Sequence, residues 1–236
     1  MADPVVRFEI GAAEDQPLVR FYGELFGWGL QAVADGYTLV DTRGGSGING
    51  GIGRSQSGEP WATFYVEVDD LQACLDRAEG LGGRTVMGVT ELPGLEFAML
   101  HDPDGLLVGV QRVGSLEGVA GGPSAGDGAA VDWFEVLGAD AGRSQAFYAE
   151  LFGWAVPEAA YGLVTAGIGG GIGAGGEARW ATVYAGVADV EATLAKAESL
   201  GATRVYGPNP VDDHTWTGMF RDPAGNPFGV YRHGPH

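Results

Sequence analysis

The strongest constraint on this chain is that it is written twice. Phe21-Tyr22-Gly23-Glu24-Leu25-Phe26-Gly27-Trp28 returns as Phe147-Tyr148-Ala149-Glu150-Leu151-Phe152-Gly153-Trp154. Gly50-Gly51-Ile52-Gly53 returns as Gly170-Gly171-Ile172-Gly173, and Trp61-Ala62-Thr63 as Trp180-Ala181-Thr182. Asp102-Pro103-Asp104-Gly105 becomes Asp222-Pro223-Ala224-Gly225, and Gly109-Val110-Gln111-Arg112 becomes Gly229-Val230-Tyr231-Arg232. The order never changes, so the chain is a tandem duplication and folds as two like halves. The 236 residues divide into one domain over 1–113 and a second over 131–236. The linker, 114–130, is rich in Gly, Ala, Ser and Pro and reads as flexible, exposed chain.

Each copy has an inner rhythm. Val5 to Ile10 is a short β-like run, followed by Leu18, Phe21, Tyr22, Leu25 and Phe26 at helical spacing, with Gly27 as the stop. Strand-like runs follow at Tyr37–Asp41 and Ile48–Ile52, and the pattern restarts at Ala62–Val68. Asp69 or Asp70 caps a second helix with Leu71, Cys74, Leu75 and Ala78 on one face. Further strands are expected at Arg84–Met87, Phe97–Leu100 and Leu106–Gln111. Each copy thus reads as βαβββ-βαβββ, an α+β fold.

Charge and composition exclude whole classes of function. Thirteen basic residues stand against 31 acidic ones, a net charge of −18. Such a chain repels phosphate backbones and anionic lipid, so neither nucleic acid nor membrane is an expected partner. The single cysteine, Cys74, rules out a disulfide framework and reads as a buried, inert thiol. No run approaches the ~20 apolar residues of a membrane span. The opening Met1-Ala2-Asp3-Pro4 lacks the basic and apolar regions of a signal peptide, so a cytoplasmic chain is expected.

A strand, then the "FYxxLFGW" helix, a helix opened by Val68-Asp69-Asp70, and Asp102-Pro103-Asp104-Gly105 before a last strand resemble the vicinal oxygen chelate superfamily. That superfamily includes glyoxalase I, bleomycin- and fosfomycin-resistance proteins and extradiol dioxygenases. The resemblance covers both copies, and it is most similar to the tandem actinobacterial type. It implies two glyoxalase-like domains, each of paired βαβββ units curled into a cup. They would pair about a pseudo-twofold axis as the subunits of a dimer do, so one chain can work as a monomer. The family's enzymes hold a divalent metal in the cup through His, Gln or Glu. At the matching first-strand position this sequence has Arg7 and Trp133, at the second Thr63 and Thr182, and at the third Gly109 and Gly229. Arginine and tryptophan offer no lone pair to a metal, glycine has no side chain, and neutral threonine is a feeble ligand. No metal and no other cofactor is therefore expected.

Strand alternation puts Arg7 and Glu9 on one face and Phe8 and Ile10 on the other, under the helix. The same parity turns Trp133 and Glu135 inward, with Phe134 and Val136 outward. Thr63 and Tyr65 join the first cup, Thr182 and Tyr184 the second, and Gln111 and Tyr231 close the rims. Glu9 and Glu135 are candidates for a general base; the alternative makes each a ligand contact or a structural acceptor. Gly44 to Gly53 lacks a GK[ST] ending and reads as a widened floor that admits a flat ligand, not as a phosphate loop. His101 reads as a turn residue and His214 as a solvated loop residue, with His214 and Trp216 at a pocket edge as the alternative. The leading expectation is a metal-free binder of an aromatic or drug-like small molecule, with sequestration or resistance as its role. The alternatives are an enzyme acting on a small metabolite (a metal-independent isomerase, hydrolase or lyase, or a divergent metal-dependent oxygenase) and an interaction protein with vestigial cups.

Overall fold

The structure, a computed structural model, describes residues 2–115 and 122–234. Copy one runs β1 (Val5–Ala12), α1 (Asp15–Phe26), β2 (Gly29–Ala34), β3 (Tyr37–Asp41), β4 (Asn49–Arg54), β5 (Trp61–Val68), α2 (Leu71–Gly80), β6 (Arg84–Leu92), β7 (Leu95–His101) and β8 (Leu107–Arg112). Copy two runs β9 (Val131–Gly138), α3 (Ala141–Phe152), β10 (Tyr161–Ala166), β11 (Ile168–Ala174), β12 (Trp180–Gly186), α4 (Val190–Ser199), β13 (Thr203–Pro210), β14 (Thr215–Arg221) and β15 (Pro227–His233). Copy one follows the expected order in full. Copy two falls one strand short: the stretch that would match β2 contains Pro157, which has no N–H to give to a ladder.

The fold is α+β. Its strands form two sheets, ordered β2-β3-β4-β1-β5-β8-β7-β6 and β10-β11-β9-β12-β15-β14-β13. The last module of each copy pairs in parallel, β5 with β8 and β12 with β15, bringing Tyr65 opposite Gly109 and Tyr184 opposite Gly229.

By compactness the chain forms two units, each drawing on both copies. Unit 1 comprises Met1–Arg7, Thr63–Gly121 and Phe134–Ala181; unit 2 comprises Phe8–Ala62, Gly122–Trp133 and Thr182–His236. The recurring "FYxxLFGW" segment is the aromatic nucleus of each. In unit 2 the Tyr22 ring stacks on Trp28 at 5.5 Å, and Phe26 and Phe228 complete the cluster. In unit 1 Tyr148 stacks on Trp154 at 5.8 Å, with Phe134 and Phe152 beside it. A buried tyrosine hydroxyl needs a partner. Tyr148 donates to Asp102 at 3.1 Å, and Tyr22 donates to Asp222 at 3.1 Å. The same aspartates brace their own turns: Asp102 Oδ1 accepts from the N–H groups of Asp104 and Leu106, and Asp222 Oδ1 from those of Ala224, Gly225 and Asn226. The "FY" helix and the "DPxG" turn are therefore one structural device, built once in each unit.

The first part of the linker, 116–121, lies outside the described residues. Residues 122–130 form no helix or strand, yet they are tied to unit 2: Gly45 N–H donates to Ser124 O, and the Trp28 indole N–H donates to Ala129 O at 2.9 Å. That half of the linker is not free chain. No helix among the described residues is long and apolar enough to cross a membrane.

Candidate functional site

Unit 1 places Arg7, Thr63, Tyr65 and Gln111 together. Arg7 is 3% exposed; its Nε donates to Gln111 Oε1 at 3.1 Å, and its guanidinium carbon lies 3.8 Å above the Tyr65 ring. Thr63 donates its hydroxyl to Leu107 O at 2.6 Å, so its proton is committed to the backbone. A Cβ on Gly109 would come within 2.4 Å of the Tyr65 ring. The third position thus bears no side chain because a tyrosine ring lies flat across it.

Glu135 belongs to the same unit but has different partners. It is 9% exposed; Tyr161 donates to Oε1 at 2.9 Å and the Trp180 indole N–H donates to Oε2 at 2.8 Å. Each carboxylate oxygen therefore has a strand-borne donor. Trp180 is buried and spent on this bond. Gly171 is bare for a related reason, since a Cβ there would meet the Tyr161 hydroxyl. The flat group that crosses the glycine-rich strand is the chain's own tyrosine, where an incoming ligand had been expected.

Unit 2 repeats these devices with other residues. Glu9 is buried, and a Cβ on Gly53 would lie 3.5 Å from Glu9 Oε1 and 3.3 Å from Tyr37. Gly51 is covered by the Tyr37 hydroxyl as Gly171 is by that of Tyr161. Thr182 donates to Pro227 O at 2.7 Å, matching Thr63. A Cβ on Gly229 would collide with the Tyr184 ring, and the Tyr184 hydroxyl meets that of Tyr206 at 3.0 Å. Tyr231 donates to Asp132 at 2.7 Å. Burial, followed by the bond to Asp132, pushes the Tyr231 hydroxyl above its ordinary value, and burial also raises the Asp132 carboxyl. Trp133, Tyr206, Thr217 and Tyr231 are half-buried, whereas Thr182 and Tyr184 are buried.

Sequence reasoning missed five of these groups: Tyr37, Tyr161, Tyr206, Thr217 and Asp132. The first two had a signal, because Tyr37-Thr38-Leu39-Val40 recurs as Tyr161-Gly162-Leu163-Val164. Asp132 had none, being unmatched by the Val6 that precedes Arg7. The remaining titratable residues are simpler. Burial pushes the Cys74 thiol up to about 12, which leaves no thiolate at neutral pH. His101 ends β7 with Nδ1 at 2.9 Å from Arg84, and burial, then that arginine, lower its value. His214 is exposed, and Trp216 shares strand parity with Gly218, which packs beneath Leu194 and Val190 of α4.

The donor set does not fit a divalent metal. At the three expected ligand positions stand an arginine or a tryptophan, a threonine bonded to a backbone carbonyl, and a glycine under a ring. Among the described residues no three His, Cys, Asp or Glu side chains converge as a metal site would require.

Residues 133–231 match the family model of the glyoxalase-like domain. No curated protein matches the sequence. Among solved structures, the Mn(II)-bound glyoxalase from Novosphingobium aromaticivorans is similar at 14% identity and a TM-score of 0.68, covering 98% of this chain and 82% of that one. The 2,2',3-trihydroxybiphenyl 1,2-dioxygenase from Sphingomonas wittichii strain RW1 aligns at 15% identity and TM-score 0.65, over 100% of this chain and 92% of that one. Homoprotocatechuate 2,3-dioxygenase from Arthrobacter globiformis aligns at 14% identity and TM-score 0.66, over 98% and 80%. Residues 133–231 thus carry the match to the glyoxalase-like domain, and the chain as a whole shares its fold with these glyoxalase and dioxygenase structures.

Proposed function

We propose that this chain is a small-molecule binding protein that works without a metal and sequesters a planar organic ligand. The observation that carries the proposal is the replacement at Gly109 and Gly229: where a ligating carboxylate would project, a tyrosine ring lies flat. Aromatic surface takes the place of a donor set, and such surface favours flat ligands. The half-buried Trp133, Tyr206, Thr217 and Tyr231 make unit 2 the contact surface. In unit 1 the buried Arg7, held by Gln111 and Tyr65, positions that unit's wall. Glu9 and Glu135 act as structural acceptors, since Glu135 already receives a hydrogen bond on each oxygen.

Two measurements test this. Elemental analysis of the full chain, purified without added metal, is expected to find no stoichiometric transition metal. A reproducible ratio of one ion per domain, lost in Glu9→Gln or Glu135→Gln, would overturn the proposal. Titration with planar compounds, followed by tryptophan fluorescence, is expected to saturate. Trp133→Ala should then bind about tenfold more weakly, from lost burial and ring contact, with an unchanged melting temperature. Equal binding by the variant, or a loss explained by melting, would make Trp133 a core residue.

A further inference from the structure

Around the same tyrosine-over-glycine pairing, unit 1 sets a buried cation, Arg7, and unit 2 sets a half-buried carboxylate, Asp132. In unit 1 a tyrosine ring lies over a glycine, and a cation lies on the ring: Tyr65 covers Gly109, and the Arg7 guanidinium carbon sits 3.8 Å from the ring centroid. Gln111, two residues along β8, accepts from that guanidinium. A cation over a tyrosine face is attracted by the ring's quadrupole, more strongly when water is excluded.

Unit 2 has the same pairing without the cation. Tyr184 covers Gly229, and two residues along the strand pair Tyr231 faces Gly186, its ring 3.6 Å from where a Cβ would stand. The residue at Arg7's position is the uncharged Trp133, and the residue at Gln111's position is Tyr231. The Tyr231 hydroxyl points to a carboxylate, donating to Asp132 Oδ1 at 2.7 Å. Tyr184 is only 3% exposed, but Tyr231 and Asp132 are both half-buried and accessible. Asp132 forms no ion pair with any described residue, although its carboxyl is drawn partly out of water. A partly desolvated carboxylate beside an accessible aromatic face gives two attractive surfaces to a cation and none to an anion. The chain's net charge of −18 further concentrates cations around it.

We propose that unit 2 binds an organic cation, a planar amidinium, guanidinium or aromatic amine, against the Tyr231 ring with Asp132 as its counter-ion. The ligand would supply the charge that Arg7 supplies within unit 1. This rests on the small-molecule binding reading and narrows it to one charge class.

The probes are benzamidine, the neutral benzamide and the anionic benzoate, titrated into the full chain by calorimetry at low salt. Benzamidine is expected to bind saturably and more tightly than either isostere. Asp132→Asn keeps an acceptor for Tyr231 but removes the charge; it is expected to lose at least tenfold in benzamidine affinity with its melting temperature unchanged. Tyr231→Leu, a second variant, should weaken benzamidine while leaving the Asp132 carboxylate in place. If benzamide or benzoate binds and benzamidine binds no better, the cation proposal fails while the binding reading stands. Benzamidine affinity unchanged in Asp132→Asn also overturns it. If none of the three probes, and none of the wider planar set, stabilises the chain, the binding reading itself fails.

Discussion

At the scale of single residues, the most informative positions are Gly109 and Gly229. In a sheet, side chains stand away from the surface, and a ring can lie flat only where its cross-strand neighbour has no Cβ. Gly109→Ala would drive a methyl group into Tyr65. Both residues are buried, so the ring cannot swing into solvent, and overpacking of this kind costs about 1–3 kcal/mol. Gly80 is the contrasting case: it ends α2, and a Cβ there would have nothing within 4 Å, so Gly80→Ala should be neutral or stabilising by up to about 1 kcal/mol. Urea unfolding midpoints of the two variants check the pair, and equal midpoints would mean that the Tyr65 ring moves aside freely. The family resemblance marks 109 and 229 as ligand positions, and the sequence shows that neither carries a side chain. It could not reveal which ring covers them, because alternation assigns a side chain to a face but does not say where along that face a long ring comes to rest. Asp132 was illegible for a related reason: its partner, Tyr231, is brought to it only by tertiary folding.

At the scale of elements, helix periodicity was the most readable signal. Leu18, Phe21, Tyr22, Leu25 and Phe26 are all buried, and Gly27 ends α1 in the left-handed region at φ 71°. Helix starts show a defect that spacing did not expose. Asp70, Asp140 and Asp189 each cap their helix by accepting from the backbone N–H three residues on. Glu14 occupies the same place before α1, with φ −122° and ψ 115°, and makes no such bond. Its backbone already has the capping conformation, but its side chain is one methylene too long. Glu14→Asp is therefore expected to stabilise the chain by about 1 kcal/mol, and Asp70→Ala to destabilise it by a similar amount. Thermal melts at fixed pH decide this. A Glu14→Asp variant no more stable than its parent would show that the α1 terminus is satisfied by water at no cost. The lost counterpart of β2 in copy two belongs to this scale too. Repeat symmetry predicts a strand there, and a single proline overrides it.

For the whole molecule, the net charge of −18 makes the folded chain repel itself, so added salt should raise its melting temperature through screening. The same charge makes any acid titration of stability a sum over many carboxylates, and one group is visible only as a difference between variants. Asp102 is the best group to isolate. Burial raises its carboxyl above the ordinary 3.8, against the opposing pull of the Leu106 N–H and the Tyr148 hydroxyl. Between 3.8 and that raised value, the folded chain holds a proton that the unfolded chain has released. Stability therefore falls as pH rises through this window. Below the window Asp102 adds no pH dependence, and above it the whole penalty is present. Asp102→Asn removes the titration but keeps the geometry: Oδ1 can still accept from Asp104 and Leu106, and the new amide can donate to Tyr148 Oη. Relative to the parent, the variant should gain stability steadily as pH rises through the window and then level off. Tyr148→Phe withdraws a donor that favours the charged carboxylate, so its window should extend to higher pH and its stability at neutral pH should fall by about 1–3 kcal/mol. Urea midpoints of the three proteins, taken between about pH 3 and about pH 7 at constant ionic strength, give the differences directly. A difference between Asp102→Asn and its parent that stays flat over this range would mean that Asp102 releases its proton in the folded chain as easily as in the unfolded one. Burial and the hydrogen bonds from Leu106 and Tyr148 would then cancel, and the link between the "FY" helix and the "DPxG" turn would carry no pH dependence.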